Sequence, residues 1–219
     1  MIQPKTVVGA IKEDLTECAA DHTLTLMLAI ARRAAASDGR QAWQPASLAG
    51  KTLALVGFGR VGQAVARRAS WGFGMDVVVY DRAPIAPEVL TATGARAVSS
   101  LDDLLPQADF VSLHCLCGAE SRHVIDARRL DQMKPGAFLI DTARGDVVEQ
   151  RALVHALWFE TIAGAAIDGE TDMLPELRAC PNAVVLPDLS AAAEDTVGLR
   201  VVETPGAFFD GQLLHDRIA

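Results

Sequence analysis

Aromatic residues are scarce in this chain. Its 219 residues hold seven Phe, three Trp and one Tyr, 5% of the total. So small a set makes a base-stacking surface unlikely. Positive charge is in deficit as well: 20 Lys and Arg against 28 Asp and Glu leave a net charge of −8. That balance argues against nucleic acid or an anionic membrane as the main partner. No apolar run reaches the ~20 residues needed to span a bilayer. The N-terminal stretch MIQPKTVVGAIKEDLTE lacks an apolar core of signal-peptide length. The expectation is therefore a cytoplasmic protein. The four cysteines, Cys18, Cys115, Cys117 and Cys180, are irregularly spaced. Cys115-x-Cys117 has no second ligand pair, so it reads as two small residues at a strand end and no metal is expected. Low-complexity segments and short repeats are absent too.

What is present is apolar. Half of the residues are hydrophobic, enough for one large domain with a substantial core. The richest stretch is Thr52 to Asp81, TLALVGFGRVGQAVARRASWGFGMDVVVYD. A β-branched apolar run leads into Gly57-x-Gly59-x-x-Gly62, then an alanine-rich helical pattern, then a second apolar run closed by Asp81. This is the order of a βαβ dinucleotide-binding unit. Gly57 permits the tight turn, Gly59 lets backbone approach a pyrophosphate, and Gly62 lets helix and strand pack closely. The helix start offers unpaired N–H groups and a positive dipole end. Asp81 follows Gly62 by about twenty residues, where an acidic side chain meets the ribose hydroxyls. A carboxylate there repels a 2′-phosphate, which favours NAD over NADP; Arg82 beside it works the other way.

Along the rest of the chain, strands are expected at Thr52–Val56, Asp76–Tyr80, Arg96–Val98, Phe110–His114, Ala137–Asp141, Gly164–Ile167 and Ala183–Leu186. Helices are expected at Glu17–Ala36, Val61–Trp71, Pro87–Thr93, Leu101–Leu105, Ala127–Met133, Glu149–Glu160 and Ala192–Val202. Several strands are continuous apolar runs, as in a parallel sheet covered by helices on both faces. The fold class is α/β, a doubly wound parallel sheet. The first helix, TLTLMLAIARR in its centre, is apolar almost all round and so should be buried. Residues 1–50 then form a helix, capped near Asp14, and a linker anchored by Trp43. Residues 51–190 form the dinucleotide-binding domain, and residues 191–219 a final helix, broken by Pro205, and a tail.

Three later segments carry a family resemblance: SLDDLLPQADFVSLHC, RRLDQMKPGAFLIDTARGDVVEQRAL and IAGAAID. With them the chain resembles the D-isomer-specific 2-hydroxyacid dehydrogenases, from about Thr16 to Ile218. The wording GFGRVGQAVARRASWGFGMDVVVYD leans toward the branch of C-terminal-binding-protein corepressors. The resemblance implies NAD bound across the C-terminal edge of the sheet, a small carboxylate substrate, and a homodimer with the first helix at its interface. It places Arg60 and Val61 at the pyrophosphate, with His114 and Cys115 along the adenine side. Thr142, Ala143 and Asp168 fall near the nicotinamide. The family's catalytic arginine falls on Arg144, whose guanidinium can grip a planar carboxylate with two parallel hydrogen bonds.

Two departures stand against these matches. The family's catalytic histidine is replaced in LPDLSAAAEDT by Asp188, a poor acid at pH 7 unless desolvation raises it. Asp188 either takes over the proton or caps the helix that follows. In GETDMLPEL, Glu170 or Asp172 stands where the family supplies the histidine's glutamate partner. The resemblance also implies a substrate lobe of about a hundred residues before the first helix. The expectation is a chain lacking most of it, and so lacking one wall of the cleft that excludes water. Asp141, where the family usually has asparagine, is either a buried hydrogen-bonding residue or a new carboxylate near the nicotinamide. His22 reads as a packing or dimer-interface histidine. Three functions stay open: an NAD-dependent oxidoreductase, an NAD-binding pseudoenzyme or proton-transfer enzyme on the same scaffold, and an NAD-responsive protein-binding dimer.

Overall fold

The computed structural model describes residues 15–32, 47–116, 118–143, 146–169 and 174–187. The segments expected to hold Asp14, Trp43, the helix at Ala192–Val202 and the tail lie outside these residues.

Seven strands form one parallel sheet: β1 (Thr52–Val56), β2 (Asp76–Tyr80), β3 (Ala95–Ala97), β4 (Phe110–Leu113), β5 (Phe138–Asp141), β6 (Gly164–Gly169) and β7 (Ala183–Pro187). The order across the sheet is β3-β2-β1-β4-β5-β6-β7, and every neighbouring pair runs parallel. The chain reverses its direction of travel at β1 and β4. A crevice therefore opens beyond the C-terminal ends of these two strands, where the connections diverge.

The continuous apolar runs have a direct cause. Leu53, Leu55, Val77, Val79 and Ile140 pack into a core on one face, under helices α1 (Leu15–Arg32) and α2 (Arg60–Arg67). Ala54, Val56, Val78, Leu113, Leu139 and Ile167 pack into a second core on the other face. That face is covered by α4 (Leu101–Leu104), α5 (Ala127–Gln132) and α6 (Gln150–Trp158). Alternate residues serve alternate faces, and both faces are dry, so no polar alternation remains.

Helix α1 buries one face within its own chain, while Glu17, Asp21, Thr25 and Leu28 on the other stay exposed. Leu26, Met27 and Ile30 are fully enclosed, packed against the β5–β7 side of the sheet. Arg68 ties α1 to the end of α2 through Asp21 and Glu17, each at 2.7 Å. The expected helix Val61–Trp71 is α2 followed by a π turn at Arg68–Gly72. The wider turn comes at the helix's end, where too few residues follow for its shift of phase to show in the sequence. One helix, α7 (Pro175–Ala179), was not expected: five residues are too few for a periodic signal. Helix α3 (Pro87–Thr93) ends where expected, at Gly94 in the left-handed conformation.

Candidate functional site

The site is built on the turn between β1 and α2. Gly57 has φ +94, a conformation side chains rarely adopt, and a Cβ there would lie 2.7 Å from the His114 carbonyl carbon. Its N–H donates to the Tyr80 carbonyl at 2.9 Å, which lashes the turn to β2. A Cβ on Gly62 would lie 2.6 Å from the Gly57 oxygen, so this glycine lets α2 start directly on the turn. Gly59 differs. A Cβ there would meet nothing within 4 Å; its neighbourhood is open cleft rather than protein. Gly59 is also the N-cap of α2, and no side chain caps that helix start. Arg60 and Val61 open the helix. Their backbone N–H groups and the helix dipole make this an anion-binding terminus.

Asp81 closes the site from β2. One carboxylate oxygen accepts from the Phe58 N–H at 2.6 Å, and the other from the Ala83 N–H at 2.9 Å. The carboxylate is thus pinned against the glycine turn rather than swinging free. A cleft of about 230 Å³ lies here, between Gly57, Gly59 and Asp81 on one side and His114, Cys115 and Leu116 on the other. Leu116 is 91% exposed, an apolar side chain left at the cleft rim. Ser112 Oγ and His114 Nε2 are 3.0 Å apart. Desolvation pushes the His114 pKa down to about 4, so its ring is neutral at pH 7 and can pack but carries no charge. Arg82, which lines the cleft, pairs with Glu120 from the loop after β4.

Beyond β5 and β6 a second cluster gathers. Thr142 Oγ1 lies 3.4 Å from the Leu113 carbonyl and 3.5 Å from Thr23 Oγ1 on α1. His22 Nε2, also on α1, lies 3.3 Å from Asp168 Oδ2, and both side chains are nearly buried. Asp141 is paired in register with Ile167, one residue before Asp168 on the neighbouring strand. Its carboxylate accepts from the Ala143 N–H at 3.0 Å. Burial raises its pKa to about 7, and the Asp168 charge adds to the rise. Of the two roles expected for Asp141, the structure shows the buried hydrogen-bonding residue.

The geometry brings together Gly57, Gly59, Asp81, Arg82, His114 and Cys115 around one cleft, with Arg60, Val61 and Gly62 following Gly59 in the first turn of α2. It places Thr142, Ala143 and Asp168 at the C-terminal ends of β5 and β6. The catalytic candidates Arg144, Glu170, Asp172 and Asp188 lie outside the described residues, as does Cys117. Sequence reasoning missed Glu120 and the partner of His22. Both contacts join residues distant in sequence, and neither leaves a local pattern. Among the described residues, no cluster of His, Cys, Asp and Glu could hold a metal ion. No described helix is long and apolar enough to cross a membrane.

Comparison with known proteins agrees with this geometry. The model of the D-isomer specific 2-hydroxyacid dehydrogenase NAD binding domain matches residues 24–190. A glyoxylate reductase of Thermococcus litoralis is 39% identical over 199 residues, covering 83% of this chain and 59% of the relative. The chain thus spans about three-fifths of the length of the curated relatives it matches. The crystal structure of the TT0316 protein from Thermus thermophilus superposes with a TM-score of 0.83 at 39% identity, over 97% of this chain and 71% of that one. A D-isomer specific 2-hydroxyacid dehydrogenase from Lactobacillus delbrueckii ssp. bulgaricus, solved in NAD-complexed form, superposes with a TM-score of 0.81 at 25% identity, over 97% and 72%.

Proposed function

This chain belongs to the D-isomer specific 2-hydroxyacid dehydrogenase family and carries its NAD-binding domain, and on that premise we propose that it passes a hydride between NAD(H) and a small 2-hydroxy or 2-keto acid. The observation that carries the reading is the open space at Gly59, facing the pinned carboxylate of Asp81. A packed strand–helix turn would fill that space. Here it is left at a helix N-terminus, the place for a pyrophosphate, with an acceptor for ribose hydroxyls across the cleft.

NAD supplies the hydride chemistry when bound; the protein supplies position and protons. Gly57 and Gly62 hold the turn, while the N–H groups of Arg60 and Val61 face the phosphates. Asp81 orients the ribose, and neutral His114 with Cys115 flanks the adenine without adding charge. Thr142, Ala143 and Asp168 receive the nicotinamide end. Arg144 grips the substrate carboxylate through a two-pronged contact. Asp188 moves the proton to or from the substrate oxygen, with Glu170 or Asp172 in the place of the family's glutamate. Residues 1–50, 51–190 and 191–219 act as dimerisation arm, dinucleotide-binding domain and C-terminal helix and tail of a cytoplasmic homodimer.

A second reading has its own observation. Asp141 titrates at about 7 beside Asp168, which suits proton transfer without net redox change.

The test begins with titration of NADH into the protein by fluorescence, followed by absorbance at 340 nm with glyoxylate and larger 2-keto acids. Uptake of NADH with steady oxidation supports the dehydrogenase. Uptake with product formation but no cofactor turnover selects the second reading. Absence of NADH uptake overturns both.

A further inference from the structure

The Arg82–Glu120 pair joins two loops at the rim of the cleft, which Arg82 lines from one loop and Ser121, next to Glu120, from the other. Arg82 follows Asp81 directly, at the end of β2. Glu120 belongs to the turn between β4 and α5. Their side chains are 68% and 79% exposed. An ion pair that open contributes little to stability. Its consequence is for whatever enters the cleft.

Resting on the dinucleotide-binding reading above, we propose that Glu120 is a specificity-determining residue: by holding Arg82, it denies the cleft a cation that would otherwise accept a 2′-phosphorylated cofactor. The charges support this. Asp81, fixed by the N–H groups of Phe58 and Ala83, cannot turn away from the ribose. A 2′-phosphate would therefore meet two carboxylates, Asp81 and Glu120, and one guanidinium already engaged. Without Glu120, one carboxylate and one free guanidinium remain. A planar fork of N–H donors suits a phosphate as well as a carboxylate, so the freed Arg82 has a new partner of the right shape. Preference for the unphosphorylated dinucleotide thus rests on two residues. Asp81 repels directly, and Glu120 both repels and sequesters.

Fluorescence titrations with NADH and NADPH on the wild-type chain, Glu120→Gln, Arg82→Gln and the double variant test the idea. The dissociation-constant ratio of NADPH to NADH is expected to fall about tenfold in Glu120→Gln. It should return to the wild-type value or above in the double variant, because the gain runs through Arg82. Raising the salt should shrink the Glu120→Gln effect. A ratio that stays within about twofold in Glu120→Gln, while NADH binds normally, overturns the inference and leaves the NAD reading intact. A full shift that persists in the double variant overturns it as well. A wild-type chain that takes up neither dinucleotide overturns the inference together with the reading beneath it.

Discussion

The Phe58 N–H donates to the Asp81 carboxylate across 2.6 Å, which makes the glycine turn after β1 and the acidic end of β2 a single unit. Two functions would therefore be joined in one side chain: Asp81 closes the turn and, in the proposed function, faces the ribose. Asp81→Ala should weaken both. A hydrogen bond to a charged group is worth roughly 1.5–3 kcal/mol, so NADH affinity should fall about 10- to 100-fold. The melting temperature should drop too, because the Phe58 and Ala83 N–H groups lose their acceptor. Affinity lost with no change in melting temperature would mean that the Phe58 contact does not hold the turn.

Gly57 and Gly59 are two residues apart and should fail in opposite ways. Gly57→Ala forces φ +94 on a side-chain residue and drives its Cβ into the His114 backbone, which cannot yield. The expected loss is about 3 kcal/mol of stability or more. Gly59→Ala meets nothing within 4 Å and takes an ordinary extended backbone, φ −69 and ψ −166. Its stability should stay within roughly 0.5 kcal/mol of wild type. Its NADH affinity should fall, because the new methyl stands where a phosphate would. Urea unfolding and NADH titration on the two variants separate fold from binding. A Gly59→Ala variant that binds NADH as well as wild type would remove the principal support for a phosphate cradle.

All seven strands were legible in the sequence to within about two residues; the central ones are short apolar runs bounded by turn residues and buried on both faces, whereas the edge strand β3 is short and largely exposed. The turn beside the cleft was legible for a related reason: Gly57 and Gly62 stand where a positive φ or a close backbone approach excludes any side chain. The π turn at Arg68–Gly72 and the five-residue α7 were not, since each is too short to leave a periodic signal. Side-chain pairing across the fold was the least legible. His22 reads from sequence as a packing histidine on an apolar helix. Its approach to Asp168 depends on where α1 crosses the sheet, which no local pattern encodes.

The proposed roles of Arg144 and Asp188 give a kinetic prediction. Arg144→Gln should lower kcat/KM for a 2-keto acid by at least about a hundredfold, since it removes a charge and both prongs of a carboxylate grip. Arg144→Lys should recover only part of that loss, because an ammonium cannot make the paired contact. Asp188→Asn should lower kcat by about 10²–10⁴, the usual worth of a positioned proton donor, and should flatten the pH–rate profile. NADH binding should be unchanged in Asp188→Asn. An unaltered pH–rate profile in this variant would assign Asp188 to helix capping instead.

Asp141 and His114 sit at the ends of neighbouring strands and pull stability in opposite directions with pH. Folding raises the Asp141 pKa from 3.8 to about 7, so the folded state holds its proton longer than the unfolded chain. Its contribution is fully present below about pH 4 and is lost as pH rises to about 7. Folding lowers the His114 pKa from 6.5 to about 4, so the unfolded chain takes up its proton first. That contribution is fully present above about pH 6.5 and is lost as pH falls toward about 4. The two windows overlap almost completely, and the opposing slopes should leave wild-type stability nearly level across them. Asp141→Asn keeps an acceptor for the Ala143 N–H and removes the charge. It should be more stable than wild type at about pH 7.5, by on the order of 2–4 kcal/mol, with little gain at about pH 4. His114→Gln should show its advantage only at the acid end of that range. Urea midpoints between about pH 4 and 8 for the three proteins would reveal it: the two single variants should slope in opposite senses, and curves parallel to wild type would show that neither group is buried as described.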